Sequence, residues 1–277
     1  MNRQSPHEFD AASIAAAFVE ARLAAKPMDQ FPGPIPANLT QSYLCQDTAI
    51  GLWPDVIAGW KIGKIAPELA SDPGVGRLAG PIFSRLVLHA RPGHVVDFPM
   101  IEGGFCAVEA EYVLRLGVDA PAGRTDWTRD DAIALVDAAF VGVETAASPL
   151  SGINALGPTV VAADFGNNAG LILGSEITDW REDWLESRTC QTEIDGALVG
   201  EGGALTIPGG PFEALRFLLE LAARRGRPLK AGDLISTGAA TGIHDIQIGQ
   251  TAVASFGRDG IIECRAVKAE TSLLGVK

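Results

Sequence analysis

"FCAVEAEYVLRL", residues 105 to 116, is the stretch on which the fold turns. Apolar residues fill it from end to end, as in a buried strand, yet it carries two carboxylates two positions apart. Side chains alternate along a strand, so Glu109 and Glu111 project from one face. An isolated Glu-x-Glu is most simply two solvated residues at a sheet edge. Here Val108, Ala110 and Tyr112 alternate with the glutamates and point to burial.

Moving outward, a third carboxylate, Glu144, lies in a similar apolar run, "FVGVETAA" (140–147). It follows Glu111 by 144 − 111 = 33 residues with a helical segment between, so a neighbouring strand can bring it alongside. Three carboxylates converging in apolar surroundings are costly unless neutralised. A hard divalent cation, Mg²⁺ or Mn²⁺, is the usual remedy. Zinc is disfavoured because no His or Cys accompanies the three.

Other short β-branched runs bounded by Gly and Pro predict further strands. They include "VIAGWKIG" (56–63), "SRLVLHA" (84–90), "HVVDF" (94–98), "AGLILG" (169–174), "RTCQTEID" (188–195), "DLISTG" (233–238), "TAVASFG" (251–257) and "IIECRAV" (261–267). Asp195-Gly196 and "GRDG" (257–260) predict hairpins. Ahead of them, "AASIAAAFVEARLAA" (11–25) has helical spacing, and Thr40 is a candidate N-cap for a second helix through "QSYLCQDTAIGLW". The expected organisation is a helical leader, 1–55, packed on a catalytic domain, 56–277. Two internal helices are expected, one capped by Thr128 with Asp131 and running through "AIALVDAA", the other "PFEALRFLLELAARRG" (211–226). Many strands with few helices predict an α+β domain and no regular βαβ array.

The chain has 277 residues, 47 % hydrophobic, with a formal charge of −12. Such an acidic balance argues against nucleic acid or an anionic membrane as partner. Four scattered cysteines without a CxxC pair suit buried thiols in a reducing compartment, and no signal-peptide run is present, so the cytoplasm is the expected location.

Two further segments invite chemistry. Lys61, in "GWKIG", is either an ordinary snorkelling lysine or a desolvated proton carrier of lowered pKa. "LISTGAATG" (234–242) is either a tight turn or a cradle in which Thr237 and the Gly238 amide meet a carboxylate. "GVGRLAG" (74–80) has the wrong spacing for a dinucleotide fingerprint and is expected to be a loop. The four histidines have no ligand spacing, and no GxSxG occurs.

In order, "GWKIG", "VEAEYVLRL", "VGVET", "DFGNNAGLILG" and "GDLISTGAATG" resemble the 2-keto-4-pentenoate hydratase branch of the fumarylacetoacetate hydrolase superfamily. The resemblance implies a mixed β-roll domain, a homo-oligomer, and Glu109, Glu111 and Glu144 as ligands of Mg²⁺ or Mn²⁺. It implies Lys61 as the catalytic lysine, with Thr237 and Gly238 against the carboxylate of a small 2-oxo acid. The reaction implied is hydration of a 2-hydroxy-2,4-dienoate through a stabilised enolate. One departure stands out. Related hydratases carry an acid after a proline in a "P-D-[FY]-G" segment, whereas "AGPIFSR" (79–85) keeps Pro81 without the acid. Decarboxylation of the 4-oxalocrotonate type, C–C hydrolysis of an acylpyruvate, or an idle assembly subunit are the alternatives.

Overall fold

The 105–116 segment is one strand over its whole length, and all of it is buried except the half-buried Arg115. It forms the middle of the larger of two sheets. The computed structural model of the chain describes residues 9–70, 76–182 and 188–270.

In chain order the elements are α1 (Ala11–Leu23), α2 (Leu39–Leu52), β1 (Ile57–Lys64), β2 (Arg77–Phe83), β3 (Val87–His89), β4 (Val95–Met100), β5 (Phe105–Leu116) and α3 (Arg129–Ala134). They continue with β6 (Val136–Ser148), α4 (Pro158–Ala163), β7 (Asn168–Glu176), β8 (Thr189–Ile194), β9 (Ala197–Gly203), α5 (Gly210–Arg224), β10 (Leu234–Ala239), β11 (His244–Asp245), β12 (Thr251–Ser255) and β13 (Ile261–Lys268). The larger sheet runs β2-β1-β10-β5-β6-β7-β3, with β11 also on β5, and the smaller runs β4-β13-β12-β8-β9. Both are mixed: β1–β10, β3–β7 and β4–β13 are parallel and the other pairs antiparallel. The main core lies between the sheets and α5, around Tyr112, Leu114, Phe212, Leu215, Phe256 and Ile262.

The helical leader packs by a narrow stripe. α1 buries Ile14, Ala15, Phe18, Val19 and Arg22, the spacing of one helix face. Trp53, just after α2, stacks on Phe83 of β2, which ties the leader to the edge of the large sheet. All four cysteines are buried free thiols.

Several sequence expectations are corrected. The N-cap of α2 is Asn38, whose Oδ1 accepts from the Gln41 amide at 3.0 Å, so the helix starts before Thr40. The Thr128–Asp131 capping box forms, but its helix ends at Ala134. "VDAA" (136–139), helix-forming by composition, joins β6 because it pairs with Leu114 to Leu116 of β5, and strand pairing overrides local propensity. Within "GVGRLAG", residues 77–80 are not a loop but the start of β2, and residues 74 and 75 lie outside the described residues. The Asp195-Gly196 hairpin forms with φ of 48° and 78°, the left-handed pair that a type I′ turn needs.

Candidate active site

The three glutamates meet because of strand register. In the antiparallel β5–β6 pair, Glu109 stands directly opposite Glu144, and Glu111 follows two positions along the same face. One oxygen from each lies within 4.8 Å of the others. Glu111 and Glu144 are fully buried, and Glu109 is 6 % exposed.

Each carboxylate is held by a specific neighbour. The Ser236 hydroxyl (2.6 Å) and the Gly238 amide (2.9 Å) donate to Glu111 Oε2. The ladder between β10 and β5 slips between Ser236 and Ala239, a bulge in which Gly238 takes φ of 122°. That left-handed geometry suits glycine and turns the amide toward Glu111. Asn168 Nδ2 donates to Glu144 Oε1 at 3.0 Å, and Lys61 Nζ lies 3.2 Å from the same oxygen. Lys61 is itself buried and donates to Asn167 Oδ1 at 3.1 Å. It is therefore no snorkelling lysine.

The electrostatics call for a cation. Three glutamates and one lysine give a formal −3 + 1 = −2 among buried side chains. Burial, opposed by Lys61 and reinforced by Glu144, pushes Glu109 up to about 7. Burial and repulsion from Glu144 and Glu109 drive Glu111 well above the carboxylate range, despite its two donors. Glu111 Oε1 and Glu144 Oε2 are buried with no hydrogen-bond donor. Such orphaned acceptors are costly unless something satisfies them. A hard, oxygen-seeking divalent ion fits this donor set and its charge.

Lys61 departs from expectation in one respect. Burial lowers its pKa, but Glu144, Glu109 and Glu111 together more than offset this, so the ammonium is held above the ordinary lysine value rather than below it. The negative charge facing the amine outweighs its desolvation.

A cavity of about 570 Å³ opens from this cluster. Lys61, Glu109 and Asn167 form its inner end, with Thr237 and Gly238 beside them, while Glu111 and Glu144 sit behind. The polar groups expected to greet a substrate carboxylate are engaged internally. Thr237 Oγ1 donates to the Tyr112 carbonyl at 2.7 Å, and the Gly238 amide is taken by Glu111. Both residues border the cavity, yet their donors serve the sheet and the triad. After Pro81, Ile82 is fully buried against Val113, Phe140 and Leu171, so that position faces an apolar cluster. Among the described residues, Glu109 is the one carboxylate lining the cavity.

Sequence reasoning missed the loop that carries Asn167 and Asn168. Phe165, Gly166 and Asn167 are consecutively left-handed, with φ of 52°, 63° and 56°, a strained arrangement for the two non-glycine residues. The loop lies flat on β2: a Cβ at Gly80 would sit 1.9 Å from the Phe165 carbonyl oxygen, so only glycine fits there. The end of α1 holds it. Buried Arg22 donates through Nε (2.6 Å) and Nη2 (3.0 Å) to the Asp164 carboxylate, and also to the Asn168 and Ala147 carbonyls. Arg22→Ala leaves Asp164 buried and unpaired, a loss of about 3–5 kcal/mol. A drop of that size in chemical-denaturation free energy is expected, and an unchanged midpoint would contradict the clamp. The polar cluster "DFGNN" between two apolar runs was the available signal.

The fold is similar to that of solved structures of the fumarylacetoacetate hydrolase superfamily. It matches 4-oxalocrotonate decarboxylase from Pseudomonas putida G7, complexed with magnesium and adipate, with a TM-score of 0.78 over 93 % of this chain and 97 % of that one at 21 % identity. It also matches fumarylpyruvate hydrolase from Pseudomonas aeruginosa, in complex with Mn²⁺ and pyruvate, at a TM-score of 0.58, 15 % identity, and 78 % and 91 % coverage. In sequence, the chain is similar to a 2-keto-4-pentenoate hydratase from Paraburkholderia phymatum, 28 % identical over 183 residues, 66 % of this chain and 68 % of the relative. No family model matches the chain.

Proposed function

We propose that the chain is a divalent-metal-dependent hydro-lyase that hydrates a 2-hydroxy-2,4-dienoate, the substrate type of the pentenoate hydratases it resembles. The observation that carries this reading is the buried Glu109–Glu111–Glu144 triad with Lys61 at its edge and a cavity in front. Glu109, Glu111 and Glu144 would hold the ion, Mg²⁺ or Mn²⁺. When bound, it supplies Lewis-acid stabilisation of negative charge on the oxygens of a 2-oxo or 2-enol acid.

The chain's own groups do the rest. Lys61 Nζ, at the inner end of the cavity, delivers a proton to substrate carbon and withdraws one in the reverse direction. Asn167 fixes that amine from one side and Glu144 from the other. Ser236 and the Gly238 amide fix Glu111, and Asn168 fixes Glu144, so the triad is oriented before any ligand arrives. The apolar wall formed by Leu78, Val161 and Ile207 excludes water from a hydrocarbon chain lying along it.

A second reading rests on the missing acid. Ile82 is buried after Pro81, and among the described residues Glu109 is the one carboxylate lining the cavity, so the acid that would activate water in a hydratase has no counterpart at that position. Decarboxylation on the same scaffold starts from the same proton chemistry and needs no activated water. The purified protein with Mg²⁺ should consume 2-hydroxypenta-2,4-dienoate, seen as loss of its ultraviolet absorbance. Proton exchange at C3 of a 2-oxo acid without such consumption would favour the second reading.

A further inference from the structure

Two neighbouring side chains, Asn167 and Asn168, reach the same ion pair. Asn167 Oδ1 accepts from Lys61 Nζ at 3.1 Å, and Asn168 Nδ2 donates at 3.0 Å to Glu144 Oε1, the oxygen that lies 3.2 Å from that amine. In an extended strand consecutive side chains face opposite sides, so one of the two would point away. Here the left-handed backbone at Phe165, Gly166 and Asn167 brings both inward. Asparagine tolerates that region and a bulky residue such as Phe165 does not, so the bend persists only while its surroundings enforce it.

The enforcement comes from the helical leader. The Arg22 guanidinium, at the end of α1, ties three parts of the frame together. It grips the Asp164 carboxylate through Nε and Nη2, the Asn168 carbonyl through Nη1 at 3.1 Å, and the Ala147 carbonyl through Nη2 at 2.9 Å. Ala147 lies on β6, three residues beyond Glu144. The same guanidinium stands 5.3 Å from the centre of the Phe165 ring, against which Trp53 and Phe83 also pack. Arg22 and Asp164 are both buried, and neither lines the cavity. A buried ion pair is a poor device for stability alone, whereas a bidentate fork fixes geometry.

We infer that Arg22, acting with Asp164, is a positioning residue of the active site: it sets where Asn167 holds the Lys61 amine and where Asn168 holds Glu144. The inference rests on the proposed function only for the reaction that Lys61 serves. The leader is on this account part of the active-site frame and more than a cover on the sheet edge.

Two double-mutant cycles in the full chain, one on each asparagine, test this. Proton exchange at C3 of 2-oxopentanoate with saturating Mg²⁺, followed by NMR in D₂O, reports on Lys61. Mn²⁺ affinity, measured by calorimetry, reports on Glu144 without any turnover. Arg22→Lys keeps the charge and loses the fork. It should lower both readouts by about 10–100-fold, as should Asn167→Ala for exchange and Asn168→Ala for Mn²⁺ affinity. Because Arg22 acts through the asparagines, Arg22→Lys combined with either alanine change should lose little more than the larger single loss. Asp164→Asn, of nearly the same shape, carries the same predictions where Arg22→Lys fails to fold. No C3 exchange in the parent, with the Mn²⁺ cycle still non-additive, would overturn the proposed function and leave the positioning role standing. Parental values in folded Arg22→Lys, or losses that multiply in both cycles, would overturn the positioning role and leave the proposed function standing.

Discussion

Replacing Lys61 with alanine is expected to slow proton exchange at C3 of a bound 2-oxo acid by about 10²–10⁴-fold, the usual contribution of a positioned acid–base group. The exchange is followed by NMR in D₂O with Mg²⁺ present. Lys61 is a buried amine at the inner end of the cavity, fixed by Asn167 at 3.1 Å and Glu144 at 3.2 Å. Its removal also takes a positive charge from the triad, so Mn²⁺ affinity should hold or rise. That combination separates a proton carrier from a structural residue. Exchange at the parental rate would reduce Lys61 to a counter-ion for Glu144.

The structure qualifies how such a lysine works. Three carboxylates hold its ammonium above the ordinary value, so it stands ready as a proton donor. Binding of a divalent ion would neutralise the same carboxylates and remove their hold on the proton. Desolvation, which favours the neutral amine, would then count for more. Charge neutralisation at the triad and proton release from Lys61 are thus linked by geometry.

Much of this was legible in the sequence, for particular reasons. The period of two in "VEAEY" places Glu109 and Glu111 on one face whatever the tertiary structure, and apolar neighbours mark the strand as buried. The pairing of Glu144 with Glu109 needs the register of β5 on β6, which the sequence suggests only through a second apolar strand with a lone acid. That the Gly238 amide meets Glu111 could not be read, because a bulge in β10 decides where that amide points. Nor could Arg22 be read as anything but the end of an amphipathic helix. Its partner Asp164 lies 142 residues away, and only the packing of α1 on the loop before β7 brings them together. The boundary at Ala134 was missed because alanine-rich segments favour helix locally, while strand pairing is a long-range effect.

The second large effect concerns the ion itself. Glu111→Gln keeps shape and packing but removes one of three negative charges from a fully buried site. It should abolish measurable Mn²⁺ or Mg²⁺ binding while circular dichroism shows the fold retained. The parent should show a pH signature. Because burial raises Glu109 to about 7 and drives Glu111 well above the ordinary carboxylate value, both hold protons more tightly than free carboxyls, and the ion must compete with those protons. Affinity should therefore increase as pH rises through about 7. In the presence of a chelator the opposite trend holds for stability. A carboxyl raised from 4.5 to about 7 stabilises the fold below the lower value, and this is lost as pH rises through the upper one.

Calorimetric titration of the parent with Mn²⁺, in buffers of different ionisation enthalpy, tests the metal centre most directly. The predicted result is one ion per chain with proton release near pH 6.5, and no saturable heat from Glu111→Gln. Absence of saturable binding in the parent, or equal affinity in the variant, would show that the buried triad holds no metal.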